Sequence, residues 1–315
     1  MREIIITKSQ EQQRLNKFLG KYLNTAPQSF IYKMLCKKNI KLNGIKADGS
    51  EILKENDLVE VFLSEVTIAK FTEEKFVNPY AKKLDIIFED ENIVVINKPI
   101  GVLSHPSDPG DRDTIVDRLN LYLSKERQKT YDAMTKPAIV NRLDRNTSGI
   151  IVCGKNLRAI QILNDIIKNQ DLHKYYLTIV QGKLLEEALV RNYHTKDEKT
   201  NKAKITKWQH DESFKEIQTH FSPLEHNKGY TLLEVQLITG KTHQIRAVLK
   251  NLGHPIVGDP KYKTNKVDRL QLKHQLLHAS RIHFHKAYGE LQYLEGKKFN
   301  APLPKQFLKI KELLF

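Results

Sequence analysis

The chain has 315 residues, 40% of them apolar, and 52 Lys and Arg against 37 Asp and Glu give it a net charge of +15. That length allows about two domains with a sizeable core, and the positive balance favours a polyanionic partner, nucleic acid or an anionic surface. No apolar run is long enough to cross a membrane, the N-terminal stretch has charges but no signal-peptide core, and two cysteines, Cys36 and Cys153, build neither a disulfide framework nor a cysteine zinc site, so a reducing cytoplasmic setting is expected.

Residues 1–64 read as two helices followed by a small sheet. Leu15, Phe18, Leu19, Tyr22 and Leu23 recur at helical spacing. A second helix starts near Gln28 or Ser29, with Ile31, Met34 and Leu35 on one face. Ile40 to Leu42 reads as a strand, Asn43-Gly44 as a tight turn and Leu58 to Leu63 as a closing strand. Between Gln28 and Lys46, the residues Lys33, Lys37, Lys38, Lys41 and Lys46 meet no acid. That run suits an RNA backbone, against the plainer reading of a solvated helix face. Residues 65–83 are polar, mixed in charge and aperiodic, and read as a linker.

The texture changes at Leu84, and residues 84–315 read as one larger domain. Asp85 to Phe88 and Ile93 to Asn97 form strands around an acidic turn, and Ile115, Leu119 and Tyr122 mark a helix. Short strands Ala138 to Val140 and Gly149 to Cys153 flank the polar segment 141–148. Asn156 caps a helix carrying Leu157, Ile160, Leu163 and Ile167. Lys174 to Val180, Thr231 to Leu237 and Arg281 to Phe284 add strands. Strands outnumber helices and come in hairpin-like pairs, which favours an α+β fold around a mainly antiparallel mixed sheet.

Three segments carry chemical interest. Gly240-Lys241-Thr242 looks like the end of a phosphate-binding loop, but that motif needs glycine where Val235 stands. His274, His278, His283 and His285 lie close together, yet no adjacent acid or cysteine pair completes a metal site, and a basic surface is the better reading. In Asn141-Arg142-Leu143-Asp144-Arg145-Asn146-Thr147-Ser148-Gly149 a carboxylate sits between two arginines in a strand-bounded loop. Loops at strand ends present reactive groups, whereas a surface salt bridge there would be worth only about 0–1 kcal/mol. Spacing alone leaves both readings open.

This last segment resembles the Arg-Leu-Asp-x-x-Thr-Ser-Gly motif of the RluA-type pseudouridine synthases. Further segments match the same family in order: Asn97-Lys98-Pro99-Ile100-Gly101 with His105-Pro106, Lys174-Tyr175-Tyr176 with Gly182, Thr239 through Arg246 followed by Gly253 through Tyr262, and His278-Ala279. The match spans roughly 84–284. Arg14-Leu15-Asn16-Lys17-Phe18-Leu19 and Leu42-Asn43-Gly44 resemble the alpha-L RNA-binding module first seen in ribosomal small-subunit protein four.

The resemblance implies an isomerase that converts uridine to pseudouridine in structured RNA, large-subunit ribosomal RNA first and transfer RNA second. No obligate protein partner and no membrane are implied. The reaction gains and loses no electrons, so no cofactor is expected. Asp144 would be the catalytic carboxylate, which can attack the sugar, attack the base or remove a proton. Arg246 would pair with Asp144 and orient it. Tyr176 would stack on the flipped uracil, and Arg142 would occupy the gap that the base leaves. Leu143 and Ile245 would exclude water. Lys98, His105, Lys241, His243, Lys261 and Lys263 would contact the RNA backbone or support the groups that do. Asp259 and Asp85 are the reserve carboxylates. The family usually has His where this chain has Asn141, so no ionic role is expected there. A base-excising glycosylase and a non-enzymatic RNA-binding ribosome-assembly protein are the competing classes. The ordered motifs oppose the first, and an intact Asp144, Tyr176 and Arg246 oppose the second.

Overall fold

In a computed structural model the chain is described at residues 1–72, 81–108, 110–127, 137–197, 200, 202–262, 270 and 272–315. The first elements are β1 (Arg2–Ile5), α1 (Leu15–Tyr22), α2 (Gln28–Cys36), β2 (Ile40–Leu42), β3 (Ile45–Lys46), β4 (Leu58–Val61) and α3 (Glu65–Phe71). The helical spacing places Leu15, Phe18 and Leu19 of α1 and Ile31, Met34 and Leu35 of α2 in one buried cluster with Ile40, Val59 and Val61. The strands pair antiparallel in the order β1-β4-β2-β3. Asn43 and Gly44 both take positive φ, as a tight two-residue hairpin requires.

The sequence does not announce β1, a short strand at the sheet's edge. It also misleads at the expected linker, where α3 begins at the predicted boundary. The Ser64 hydroxyl accepts from Thr67 N–H as an N-cap, and Ile68 is buried in the N-terminal cluster. At seven residues the helix is too short for its buried Ile68 and half-buried Phe71 to mark a helical period. The remainder of the expected linker, 73–80, lies outside the described residues.

The larger sheet takes in β5 (Ile86–Glu89), β6 (Ile93–Lys98), β7 (Ala138–Ile139), β8 (Ser148–Gly154), β9 (Leu172–Gln181), β10 (Ala188–Asp197), β11 (Lys202–Thr206), β12 (Lys215–Asn227), β13 (Tyr230–Leu237), β14 (Leu277–Phe284) and β15 (Lys298–Asn300). Its main path runs β11-β10-β12-β13-β9-β14-β8-β6-β5, with β7 on β8 and β15 on β14. Among the described residues only β8 and β14 pair in parallel. The helices are α4 (Ile115–Arg127), α5 (Leu157–Lys168), α6 (Gln244–Asn251) and α7 (Lys305–Leu314). This is the α+β, mainly antiparallel architecture expected.

Both faces of the central strands are covered. Val94, Ile96, Ile151 and Cys153 pack with Ile115 and Leu119 of α4 and with Ile245, Val248 and Leu249 of α6. Ile93, Val95, Ile150 and Val152 pack with Leu163 and Ile166 of α5 on the opposite side. Burial on both faces explains why these strands read as unbroken apolar runs instead of alternating ones.

The parallel pair depends on one glycine. Gly149 has φ +109 and lies opposite Ala279, and a Cβ there would overlap the Ala279 backbone carbonyl. Gly149→Ala is therefore expected to combine backbone strain with a clash that neither strand can relieve, costing about 2–5 kcal/mol. Thermal denaturation followed by circular dichroism should show a midpoint lower by roughly 5–15 °C.

Candidate active site

The segment 141–147 leaves β7 and enters β8, and it is shaped by hydrogen bonds to its backbone. Asn141 Nδ2 donates to the Ile150 carbonyl at 3.1 Å and its Oδ1 accepts from Val152 N–H at 2.8 Å. The amide thus extends the strand pairing, a task that needs no charge. Ser104 Oγ donates to the Leu143 carbonyl at 2.8 Å and accepts from Leu143 N–H at 3.0 Å. Gly101 N–H donates to the Arg145 carbonyl at 2.9 Å.

Lys98 corrects the expectation drawn from its motif. It is fully buried and cannot touch RNA. Its ammonium donates to the carbonyls of Pro99 at 3.0 Å, Val102 at 2.8 Å and Arg145 at 3.0 Å. Burial pushes its pKa down to about 7, with the charge of Asp144 opposing. Three acceptors matched to three donors are what the ammonium form supplies. Lys98 therefore ties the end of β6 to the loop that bears Asp144.

Asp144 rises from this loop beside α6. Arg246, buried on the first turn of α6, donates from Nη1 to Asp144 Oδ2 at 2.7 Å. Its Nε and Nη2 fork onto Asp259 Oδ2 and Oδ1 at 2.7 and 2.9 Å. The Asp259 side chain is completely buried and also accepts from the backbone N–H of Lys261 and Tyr262. Burial disfavours the charge on Arg246, but Asp259 and then Asp144 outweigh it and raise its pKa. His243 Nε2 stands 3.6 Å from the same Asp144 Oδ2. Among the described residues Asp144 Oδ1 has no hydrogen-bond donor, so one carboxylate oxygen is held and the other is not, and the residue lines a cleft.

That cleft is lined by Arg142, Asp144, Tyr176, Lys241, His243 and Arg246, with the buried Leu143 and Ile245 beneath. Tyr176 lies on β9, between β13 and β14, and its ring turns into the same core as α6. Its neighbour Tyr175 points to the opposite face, as strand alternation demands, with the Arg281 guanidinium 4.1 Å from its ring centre. Burial raises the Tyr176 phenol, and the nearby Asp144 charge adds to it.

The other expected site residues divide. Arg142 and Lys241 are exposed at the cleft. His105 is also exposed, and burial together with the Arg142 charge lowers its pKa. Lys261 is half-buried and its charge acts on His243. Lys33 stands on α2, Lys37 and Lys38 in the turn that follows it and Lys41 on β2; none lines the cleft, and the Lys41 ammonium lies 5.1 Å from the Phe62 ring centre. Lys263 lies outside the described residues. Asp85, a reserve carboxylate, accepts from Asn97 Nδ2 and does not line the cleft. Asp259, the other, is an anchor for Arg246 with no exposed atom to offer a substrate.

A family model described as RNA pseudouridylate synthase matches residues 92–251, the span that contains Asp144, Tyr176 and Arg246. A protein of Mycoplasma genitalium named as an uncharacterized RNA pseudouridine synthase is 32% identical over 306 residues, covering 94% of this chain and 91% of its own. Ribosomal large subunit pseudouridine synthase D of Borreliella burgdorferi is 29% identical, covering 92% of this chain and 87% of its own. The solved structure of human RNA Pseudouridylate Synthase Domain Containing 4 has the same fold with a TM-score of 0.57, at 23% identity over 71% of this chain and 90% of its own.

Replacing Lys98 separates its anchoring from RNA contact. Lys98→Met leaves three buried carbonyls without donors, and the expected loss of stability is about 3–5 kcal/mol, read from urea denaturation. The salt dependence of RNA binding by the folded fraction should keep its slope, because Lys98 neutralises no phosphate.

Proposed function

This chain belongs to the RluA-type RNA pseudouridine synthases, and we propose that it isomerises uridine in large-subunit ribosomal RNA with Asp144 as the reacting carboxylate. The reaction breaks the bond between ribose and the base nitrogen, turns the uracil and rejoins it through ring carbon five. The base must leave its stack before the glycosidic bond can be approached. The observation that carries the reading is the Asp144 carboxylate, held through Oδ2 by a buried arginine, with no donor on Oδ1 among the described residues, in a cleft that Tyr176 also lines.

Tyr176 is then the platform for the flipped uracil, a stack worth about 1–3 kcal/mol. Arg142, exposed at the mouth, enters the space vacated by the base. Leu143 and Ile245 keep water from a cleaved intermediate, which would otherwise be hydrolysed. Lys241, His105 and Lys261 contact phosphates around the target. The N-terminal unit, with Lys33, Lys37, Lys38 and Lys41, holds a more distant part of the RNA through its backbone. Large-subunit ribosomal RNA is preferred over transfer RNA because two similar proteins, of Borreliella burgdorferi and Salmonella typhi, are named for the large subunit. A non-enzymatic binder is disfavoured, since burying an arginine between two carboxylates is costly and serves no contact with a phosphate.

Asp144→Asn keeps the size and polarity of the side chain, so folding and RNA affinity should be unchanged. Turnover should fall by several powers of ten, each worth about 1.4 kcal/mol of barrier. The measurement is single-turnover release of tritium from ring carbon five of uridine in labelled ribosomal RNA. Activity that survives in pure Asp144→Asn protein would overturn the assignment. Sequencing-based maps of pseudouridine in cells with and without the gene would show whether the lost site lies in ribosomal or transfer RNA.

A further inference from the structure

A chain of hydrogen-bonding groups runs from the outer sheet to the reacting carboxylate. The Ala203 backbone N–H on β11 donates to Tyr262 Oη at 2.7 Å. Tyr262 Oη lies 3.2 Å from His243 Nδ1, and His243 Nε2 lies 3.6 Å from Asp144 Oδ2. The backbone amide donates to Tyr262 Oη, which leaves the phenol proton available to His243 Nδ1. A neutral imidazole has one ring proton. On Nδ1 it would leave the Nε2 lone pair facing the Asp144 carboxylate; on Nε2 it faces that carboxylate while Nδ1 accepts from Tyr262, so the contacts on both sides favour the Nε2–H form.

The surroundings favour that neutral ring. Burial lowers the pKa of His243; Arg246 and Lys261 lower it further, while Asp144 and Asp259 oppose them. His243 is also held where few residues rest: φ 53 and ψ 20, the left-handed region, at the N-cap of α6. Its own carbonyl accepts from Ala247 N–H at 2.9 Å, so the strained residue is locked to the helix that bears Arg246. The separation of 3.6 Å is longer than a hydrogen bond, and catalytic pairs of this kind commonly shorten when substrate binds.

We propose that His243, held as its Nε2–H tautomer by Tyr262, is a positioning residue that acts with Arg246 on Asp144 Oδ2 and so reserves Oδ1 for the uridine. This rests on Asp144 being the reacting carboxylate. It assigns His243 a task other than touching the RNA backbone. It also makes Tyr262, which does not itself line the cleft, a support for the reaction from behind His243.

The test begins with the intact protein labelled with ¹⁵N-histidine. Long-range ¹H–¹⁵N correlation at neutral pH should show His243 protonated on Nε2 alone, its signal assigned by its loss in His243→Gln. In Tyr262→Phe the preference should give way to a mixture of tautomers. Single-turnover and steady-state rates on tritiated ribosomal RNA supply the second arm. His243→Phe should lower kcat on the order of 10²-fold with KM unchanged. His243→Gln, which returns an N–H donor near Nε2, should recover most of the rate. A ring protonated on Nδ1 in the unaltered protein overturns the proposal. So does a rise in KM without loss of kcat, or a glutamine variant as slow as the phenylalanine one. Failure of the parent reading looks different: Asp144→Asn would then retain activity while the His243 tautomer stood as described.

Discussion

The site depends on one buried cation. A guanidinium removed from water is costly unless its donors are met by charge and geometry together. Arg246 meets that condition through the two-pronged contact with Asp259, a carboxylate without exposure. One N–H edge remains, and Asp144 takes it. Because Asp259 compensates most of the buried charge, Asp144 is aligned by the arginine without being its only counter-ion. A lone Arg–Asp pair would hold the second carboxylate more tightly and leave it less available to a substrate.

The arginine is held in turn by the way α6 is seated. Gln244 Nε2 reaches the Gln218 carbonyl and the Thr219 hydroxyl on β12, while its Oε1 accepts from Lys241 N–H and Thr239 Oγ1. Ile245, Val248 and Leu249 fill the core beneath. Opposite, Lys98 and Ser104 fix the backbone of the Asp144 loop. Tyr176 comes from a central strand with neighbours on both sides. The three groups therefore come from three separately braced elements, the arrangement that keeps reacting atoms within a fraction of an ångström.

Much of this could be read from the residues. The contiguous apolar runs gave β6 and β8, the spacing gave α1, α2 and α5, and Asn156 marked the start of α5 by accepting from Ala159 N–H. The pairing of Asp144 with Arg246 was reachable only by family resemblance, since 102 residues separate them. Lys98 was misread because lysines are rarely fully buried, and nothing local reveals an acceptor such as the Arg145 carbonyl. Asp259 stood in a Gly-Asp-Pro turn, where an aspartate needs no buried cation to be explained. β10, β11 and β12 were missed for a related reason. They form the outer end of the sheet, and polar, lysine-rich strands such as Lys202–Thr206 resemble surface loop. Their meaning lies in long-range partners, Tyr262 for Ala203 N–H and the Thr242 carbonyl for His194.

The loop from Asn141 to Thr147 is held almost wholly through main-chain atoms, by an amide, a hydroxyl and an ammonium that belong to other positions or to its first residue. Its outward side chains bear little of the work of keeping its shape. Arg142 and Arg145 are exposed, the latter with a 3.7 Å contact to Asp111. A scaffold built this way separates two kinds of evolutionary change. A substitution at the exposed Arg145 changes the surface of the loop and leaves the main-chain contacts that place the carboxylate intact. The outer surface of the loop can therefore vary without moving the carboxylate it carries.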